Sequence, residues 1–142
     1  MRVADIVNLI KLCVGAERVE DLIAWQRARF GADPAEHITR MWPKRSSEVL
    51  AGGSLYWVFK GEVLARQPII GLQERRGTDG ILRCALVLAP DVIRTEPMPR
   101  RPFQGWRYLA AADAPRDLPQ GRAHEEPLPD ALQSALAQIG LR

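Results

Sequence analysis

The run Ser54-Leu55-Tyr56-Trp57-Val58-Phe59 constrains this chain more than any other stretch. It is dense in β-branched and aromatic residues, which fit a pleated, half-buried surface. Leu55, Trp57 and Phe59 fall on one face, Tyr56 and Val58 on the other. Gly52-Gly53 precedes it and Lys60-Gly61-Glu62 supplies a turn, so Val63 to Leu72 is expected to return as an antiparallel partner. Pro68 within that partner points to an edge position or a bulge. A β-hairpin with an aromatic face therefore sits near the middle of the chain, and the remaining elements must be arranged around it.

Further strands are predicted at Val7 to Val14, ended by Gly15, at His37 to Trp42, stopped by Pro43, and at Ile81 to Leu88, with a short one at Val92 to Thr95. Between Val19 and Phe30 the apolar spacing turns helical, with Val19, Leu22, Ile23 and Phe30 on one side and Glu17, Glu20 and Asp21 at the start, where a helix dipole favours acids. Ser46 or Ser47 is placed to cap a short helical turn through Leu50. Arg75 to Gly80 reads as a polar loop. Pro97, Pro99 and Pro102 impose an extended path, followed by an aromatic knot from Phe103 to Leu109. Residues 110–128 read as a loop or tail, and 129–140 as a C-terminal helix with Leu132, Ala135, Leu136 and Ile139 on one face. We expect one domain over 1–142 with its core at about 5–109 and helices near both ends. Its class is α+β, with a barrel-like sheet at the centre.

Composition narrows the function classes. The hydrophobic share of 46% and the charged share of 26% are those of a soluble globular chain. No apolar run approaches the ~18 residues of a membrane helix, and Asp5, Asn8 and Lys11 break up any leader-like stretch, so a cytoplasmic location is expected. Cys13 and Cys84 stand far apart. With His37 and His124 they show no metal-ligand spacing, so no metal and no cofactor is expected. Phosphate-loop, dinucleotide, nucleophile-elbow and zinc-protease motifs are absent from the sequence. A Ser-His-Asp arrangement would have to recruit one of the two histidines.

The net charge of +3 is unevenly spread. Residues 37–107 carry twelve basic and six acidic groups, against −1 before them and −2 after. Arginine supplies seventeen of the twenty cations, which suits phosphate recognition and is equally a product of GC-rich coding. Three clusters interleave cations with flat side chains. The first is Arg40-Met41-Trp42-Pro43-Lys44-Arg45. In the second, Tyr56-Trp57 faces Arg66 across the hairpin. The third is Arg100-Arg101-Pro102-Phe103-Gln104-Gly105-Trp106-Arg107-Tyr108.

Cations contact phosphates and aromatic rings stack on unpaired bases, so these clusters suit single-stranded nucleic acid. The candidate binding residues are Arg40, Trp42, Lys44, Arg45, Arg66, Arg100, Arg101, Trp106 and Arg107. Trp57 and Phe59 read as core, and Arg66 has Glu62 and Glu74 as nearby pairing options. Two other readings stay open. One is an enzyme or binder for an anionic nucleotide-like ligand, using Lys44 or Lys60 with Glu62 as acid and base. The other is a protein-interaction module or homodimer anchored by Trp42 and Trp106.

Four runs resemble those of a bacterial family classed as domain of unknown function 1489: Asn8 to Gly15, Arg40 to Arg45, Gly52 to Val58 and Arg101 to Leu109. The resemblance implies a small stand-alone cytoplasmic protein and supplies no activity. The order from Glu48 through Gly53 to Gln73 is also similar to the barrel hairpin of PUA-like domains, including the ASCH and EVE branches. That likeness implies a PUA-like β-barrel core and a partner such as single-stranded RNA or a modified nucleotide, with no site residue carried over.

Overall fold

All six side chains from Ser54 to Phe59 are buried, so this strand must have packing on both faces. A computed structural model, which describes residues 6–119, shows how that is achieved. The elements in chain order are β1 (Val7–Leu12), α1 (Val19–Phe30), β2 (Ala35–Thr39), α2 (Ser46–Leu50), β3 (Ser54–Phe59), β4 (Glu62–Arg76), β5 (Leu82–Leu88), β6 (Ile93–Pro99) and β7 (Trp106–Ala110). A short 3-10 turn, Ala111–Asp113, follows. The strands form one mixed sheet of seven in the order β2-β5-β4-β3-β1-β7, with β6 paired to β4. Only β1 and β3 run parallel among these pairs; the rest are antiparallel.

The α+β class holds. Helix α1 occupies the predicted span, as does β3. The hairpin turn is the two residues Lys60 and Gly61, with φ of 46° and 85°. Two positive φ values in a two-residue loop match the right-handed twist of the flanking strands. Glu62, expected in that turn, opens β4 instead.

Two apolar clusters sandwich the central strands. On one face Leu9, Leu55, Trp57, Phe59, Leu86 and Leu88 pack with Val19 and Leu22 of α1. On the other, Ile10, Tyr56, Val58, Val63 and Leu109 meet Leu12, Met98, Phe103 and Ala114. The period-2 alternation of β1 and β3 splits their side chains between the two clusters. At the junction sits Gly53. A Cβ there would lie 2.2 Å from the Val7 carbonyl oxygen and 2.7 Å from that of Val49, so only glycine lets α2 meet β1 so closely. The Asn8 carboxamide accepts from the Ser54 N–H at 2.9 Å in the same place.

Helix α1 is fixed to the sheet by buried polar groups as well. Gln26 and Gln67 exchange two amide hydrogen bonds, 2.9 and 2.8 Å. Gln67 also accepts from the Trp57 indole N–H at 3.0 Å and donates to the Ala89 carbonyl at 3.0 Å. Both donors and both lone-pair sites of this fully buried amide are used.

Several expectations are corrected. The second strand lies at Ala35–Thr39, earlier than His37 to Trp42: the Thr39 hydroxyl bonds the Met41 and Cys84 carbonyls at 3.1 and 3.3 Å and turns the chain out of the sheet. The first strand ends at Leu12 rather than Val14. Strand β4 runs four residues past Leu72, because β5 pairs with it as far as Arg76. Strand β6 continues through Pro97 to Pro99, where β4 pairs with it on one side. The expected aromatic knot is an ordered edge strand, β7.

The expected barrel does not close. β2 and β7 remain the two ends of the pairing order, with no ladder between them. Residues 116–118 of the expected loop lie along β6, through the Thr95–Asp117 bridge and backbone bonds of 2.8 and 2.9 Å. The predicted helix over 129–140 lies outside the described residues. Among the described residues no helix is long and apolar enough to cross a membrane.

Replacing Gln67 with Leu strands the Trp57 indole N–H, the Gln26 amide and the Ala89 carbonyl in a buried setting. At about 1–3 kcal/mol for each unsatisfied group, the variant should lose at least ~3 kcal/mol, read from urea unfolding. The double variant Gln26→Leu/Gln67→Leu should lose clearly less than the sum of the two singles, since one change has already broken what the other removes. Additive losses would mean the amide pair is not coupled.

Candidate nucleic-acid interface

Strand β7 pairs with β1 on one side only, and its free edge gathers two of the three basic clusters. The segment after β2 crosses to it. The Trp106 indole donates to the Met41 carbonyl at 3.1 Å, and the Arg45 N–H donates to the Tyr108 hydroxyl at 3.2 Å. The Arg45 guanidinium lies over the Tyr108 ring, 5.6 Å from its centroid, and pairs with the Glu48 carboxylate. These contacts link the two ends of the sheet where no ladder does. They bring the segment of Arg40, Lys44 and Arg45 against the face of β7 that carries Trp106 and Tyr108, while Arg107 alternates to the other face, beside Phe103.

No carboxylate occurs from residue 37 to 47, nor from 97 to 112. Among the described residues Arg40, Lys44, Arg100, Arg101 and Arg107 have no acidic partner. Arg40, Lys44, Arg101 and Arg107 are exposed, and Arg100 is half-buried. Trp42 is 43% exposed and Met41 62% exposed, so a flat ring and a flexible thioether stand open beside these cations. Two grooves, of about 1180 Å³ beside the end of α1 and about 720 Å³ beside its start, include no residue of 40–45 or 100–107. The basic segments thus line neither of these two grooves.

Two candidate residues are not part of that surface. Trp106 is 9% exposed, packed in the main core and edge-on to Tyr108 at 4.9 Å, with its N–H already used. It anchors the Met41 segment and is not open for stacking. Tyr108, 36% exposed on the rim, is a flat side chain absent from the set predicted by sequence. Strand alternation puts residues 106 and 108 on one face, and only the depth along the strand separates them.

Arg66 does face Tyr56 across the hairpin as expected. Its guanidinium, however, is bidentate to Asp117 at 2.8 Å on both arms and donates to the Ser54 hydroxyl at 2.8 Å. Hydrogen bonding to that guanidinium holds the Asp117 carboxyl below the usual carboxylate range. The partner is neither Glu62 nor Glu74, and β4 is separated from β7 by β3 and β1. Arg66 is a staple between β4 and the residues after the 3-10 turn. The expected acid–base pair of a lysine with Glu62 is also not formed: Lys60 meets Glu17 at 3.1 Å on the exposed surface.

His37, Cys13 and Cys84 lie in or against the core. His37 lies edge-on to the Trp57 ring at 5.0 Å, and its buried Nε2 has no partner. Burial, with Lys11 nearby, pushes its pKa down to about 4, so the imidazole is neutral. Burial pushes the Cys13 thiol up to about 12, and the Cys84 thiol is likewise raised by burial. Neither sulfur is an activated nucleophile.

The fold and surface define an α+β domain with an open mixed sheet and a basic, partly aromatic edge. The chain belongs to the family described as Protein of unknown function (DUF1489), whose family model matches residues 9–142. No curated protein and no solved structure matches it.

The His37 environment makes stability pH-dependent. The folded pKa of about 4 lies below the unfolded value of 6.5. The unfolded chain therefore takes up the proton first, and the stabilisation present above pH 6.5 is lost as the pH falls toward 4. Between pH 7.5 and 5 the His37-dependent loss should be about 2 kcal/mol. In His37→Leu that part of the pH dependence, measured by urea unfolding, should vanish.

Proposed function

We propose that the protein is a single-stranded nucleic-acid-binding module, RNA in the first instance, that works without a catalytic centre. The observation that carries this reading is the meeting of two acid-free, arginine-rich segments at the free edge of β7, joined by the Trp106–Met41 and Arg45–Tyr108 contacts. Arg40, Lys44, Arg101 and Arg107 contact phosphates, with Arg100 beside them. Trp42 offers its ring to unpaired bases, a sequence-tolerant form of contact. Several exposed cations suit a polymer whose phosphates repeat along its length.

The same reading takes the open sheet to be PUA-like. It is supported by the order of α2, Gly53, β3, the two-residue turn and β4, which resembles the order of the hairpin in those domains.

The test is fluorescence polarisation of short labelled single-stranded RNA and DNA across a salt series. Log affinity should fall linearly with log salt. Arg101→Ala/Arg107→Ala should weaken binding and flatten that slope by about 1.4, at ~0.7 for each single-strand phosphate no longer neutralised. Trp42→Ala should weaken binding by ~1–3 kcal/mol while leaving the slope unchanged, because a stacked base releases no counterion. Absence of binding by the wild-type protein at low salt overturns the reading.

A further inference from the structure

Phe103 carries no charge, yet two guanidinium groups converge on it. The guanidinium carbons of Arg100 and Arg107 each lie 5.5 Å from its ring centroid. The two carbons are therefore no more than 11 Å apart. Among the described residues neither has a carboxylate partner. The negative face of the aromatic ring attracts both cations. Their charge is not neutralised by an acid and is open to an anion.

The backbone is fixed on both sides of this arrangement. The Arg100 N–H donates to the Gly61 carbonyl at 2.8 Å, which ties it to the β3–β4 turn. Arg107 stands opposite Ile10 in the β7–β1 ladder. Between them the chain bends at Gln104 and Gly105, the latter with φ of 68°. Phe103 itself is half-buried and packs on the second apolar cluster. The ring is therefore held by the second apolar cluster, and the backbone of both arginines is pinned by its own pairing.

We infer that Phe103 is a positioning residue that pre-orders Arg100 and Arg107 as a clamp for one phosphate, or two neighbouring ones, of a bound strand. This rests on the nucleic-acid reading above and adds to it a residue and a mechanism. Arginine side chains lose much rotamer freedom when they bind, and a clamp ordered in advance avoids part of that loss. Phe103 touches no phosphate, so removing its ring should lower affinity without changing how many counterions are released.

The test uses the full chain and a short labelled oligouridine in the salt series. Phe103→Leu keeps apolar bulk toward Met98 and Ala114 and should bind about three- to tenfold more weakly, the scale of one to two exposed cation–π contacts. Its salt slope should stay near wild type while its melting temperature falls modestly, and Phe103→Tyr, which restores a ring, should restore affinity. Phe103→Met serves as a second ring-free variant should the leucine variant misfold. Arg100→Ala/Arg107→Ala must both weaken binding and flatten the slope. Wild-type affinity in the folded ring-free variants, alongside weaker binding by the arginine variant, overturns the clamp and leaves the nucleic-acid reading standing. Wild-type affinity in the arginine variant, or no binding by the wild-type protein, overturns both.

Discussion

The amide pair of Gln26 and Gln67 is the interaction on which the architecture depends. Hydrophobic burial alone would hold α1 against the sheet without choosing its rotation or height, because apolar contact is not directional. Two reciprocal hydrogen bonds between enclosed amides do choose, since a slip in either direction leaves several polar groups unpaired at once. The same Gln67 fixes the Trp57 indole and the Ala89 carbonyl, so the helix, the central hairpin and the end of β5 are set relative to one another by a single side chain. With the helix lodged on one face, the other face of β3 needs a different cover. The chain provides it with the segment around Phe103 and Ala114.

That second cover determines where the candidate surface lies. To cap Tyr56, Val58 and Ile10, the chain must pass over the sheet after β6 and return along β1 as β7. The return strand has no further partner. Trp106 is drawn into the main core from one side of it and Leu109 into the second core from the other. Arg107 and the rim of Tyr108 are left at the surface. The open basic edge follows from how the core is closed.

How much of this is legible in the sequence depends on whether a residue's neighbours are local. The span Val19–Phe30 shows helical spacing, and Ser54–Phe59 is so dense in β-formers that its ends are set by the flanking glycines. Gln26 sits on the apolar side of that helix, but its role rests on a partner 41 residues away. Strand β2 starts earlier than its pattern suggests because its inward positions are Ala35, His37 and Thr39, which give little hydrophobic contrast. The outer part of β4, Gln73 to Arg76, is polar on both sides since it pairs with β5 beyond the core, so its sequence looks like a loop. In the candidate surface, Trp42 and Trp106 both lie in short runs that contain arginine and proline. Only the ladder of β7 with β1, which turns residue 106 inward, tells them apart.

The arginines show the same dependence on distant partners. Seventeen arginines among twenty cations are uninformative as a composition, because genome bias and function predict the same excess. The fold sorts them. Arg66 joins β4 to Asp117, Arg75 joins β4 to Glu36 on β2, Arg94 joins β6 to Glu20 on α1, and Arg83 closes the β4–β5 loop through Asp79. Each of these uses its charge to hold two segments together. Among the described residues the cations without a carboxylate include Lys11, Arg18, Arg27, Arg29, Arg76 and Arg116, which are distributed over several elements. The other five, Arg40, Lys44, Arg100, Arg101 and Arg107, fall in two short segments that meet at one strand edge. A chain selecting only for stability gains little from gathering unpaired like charges in one place, since they repel. Their concentration beside exposed rings is what an anionic partner would favour.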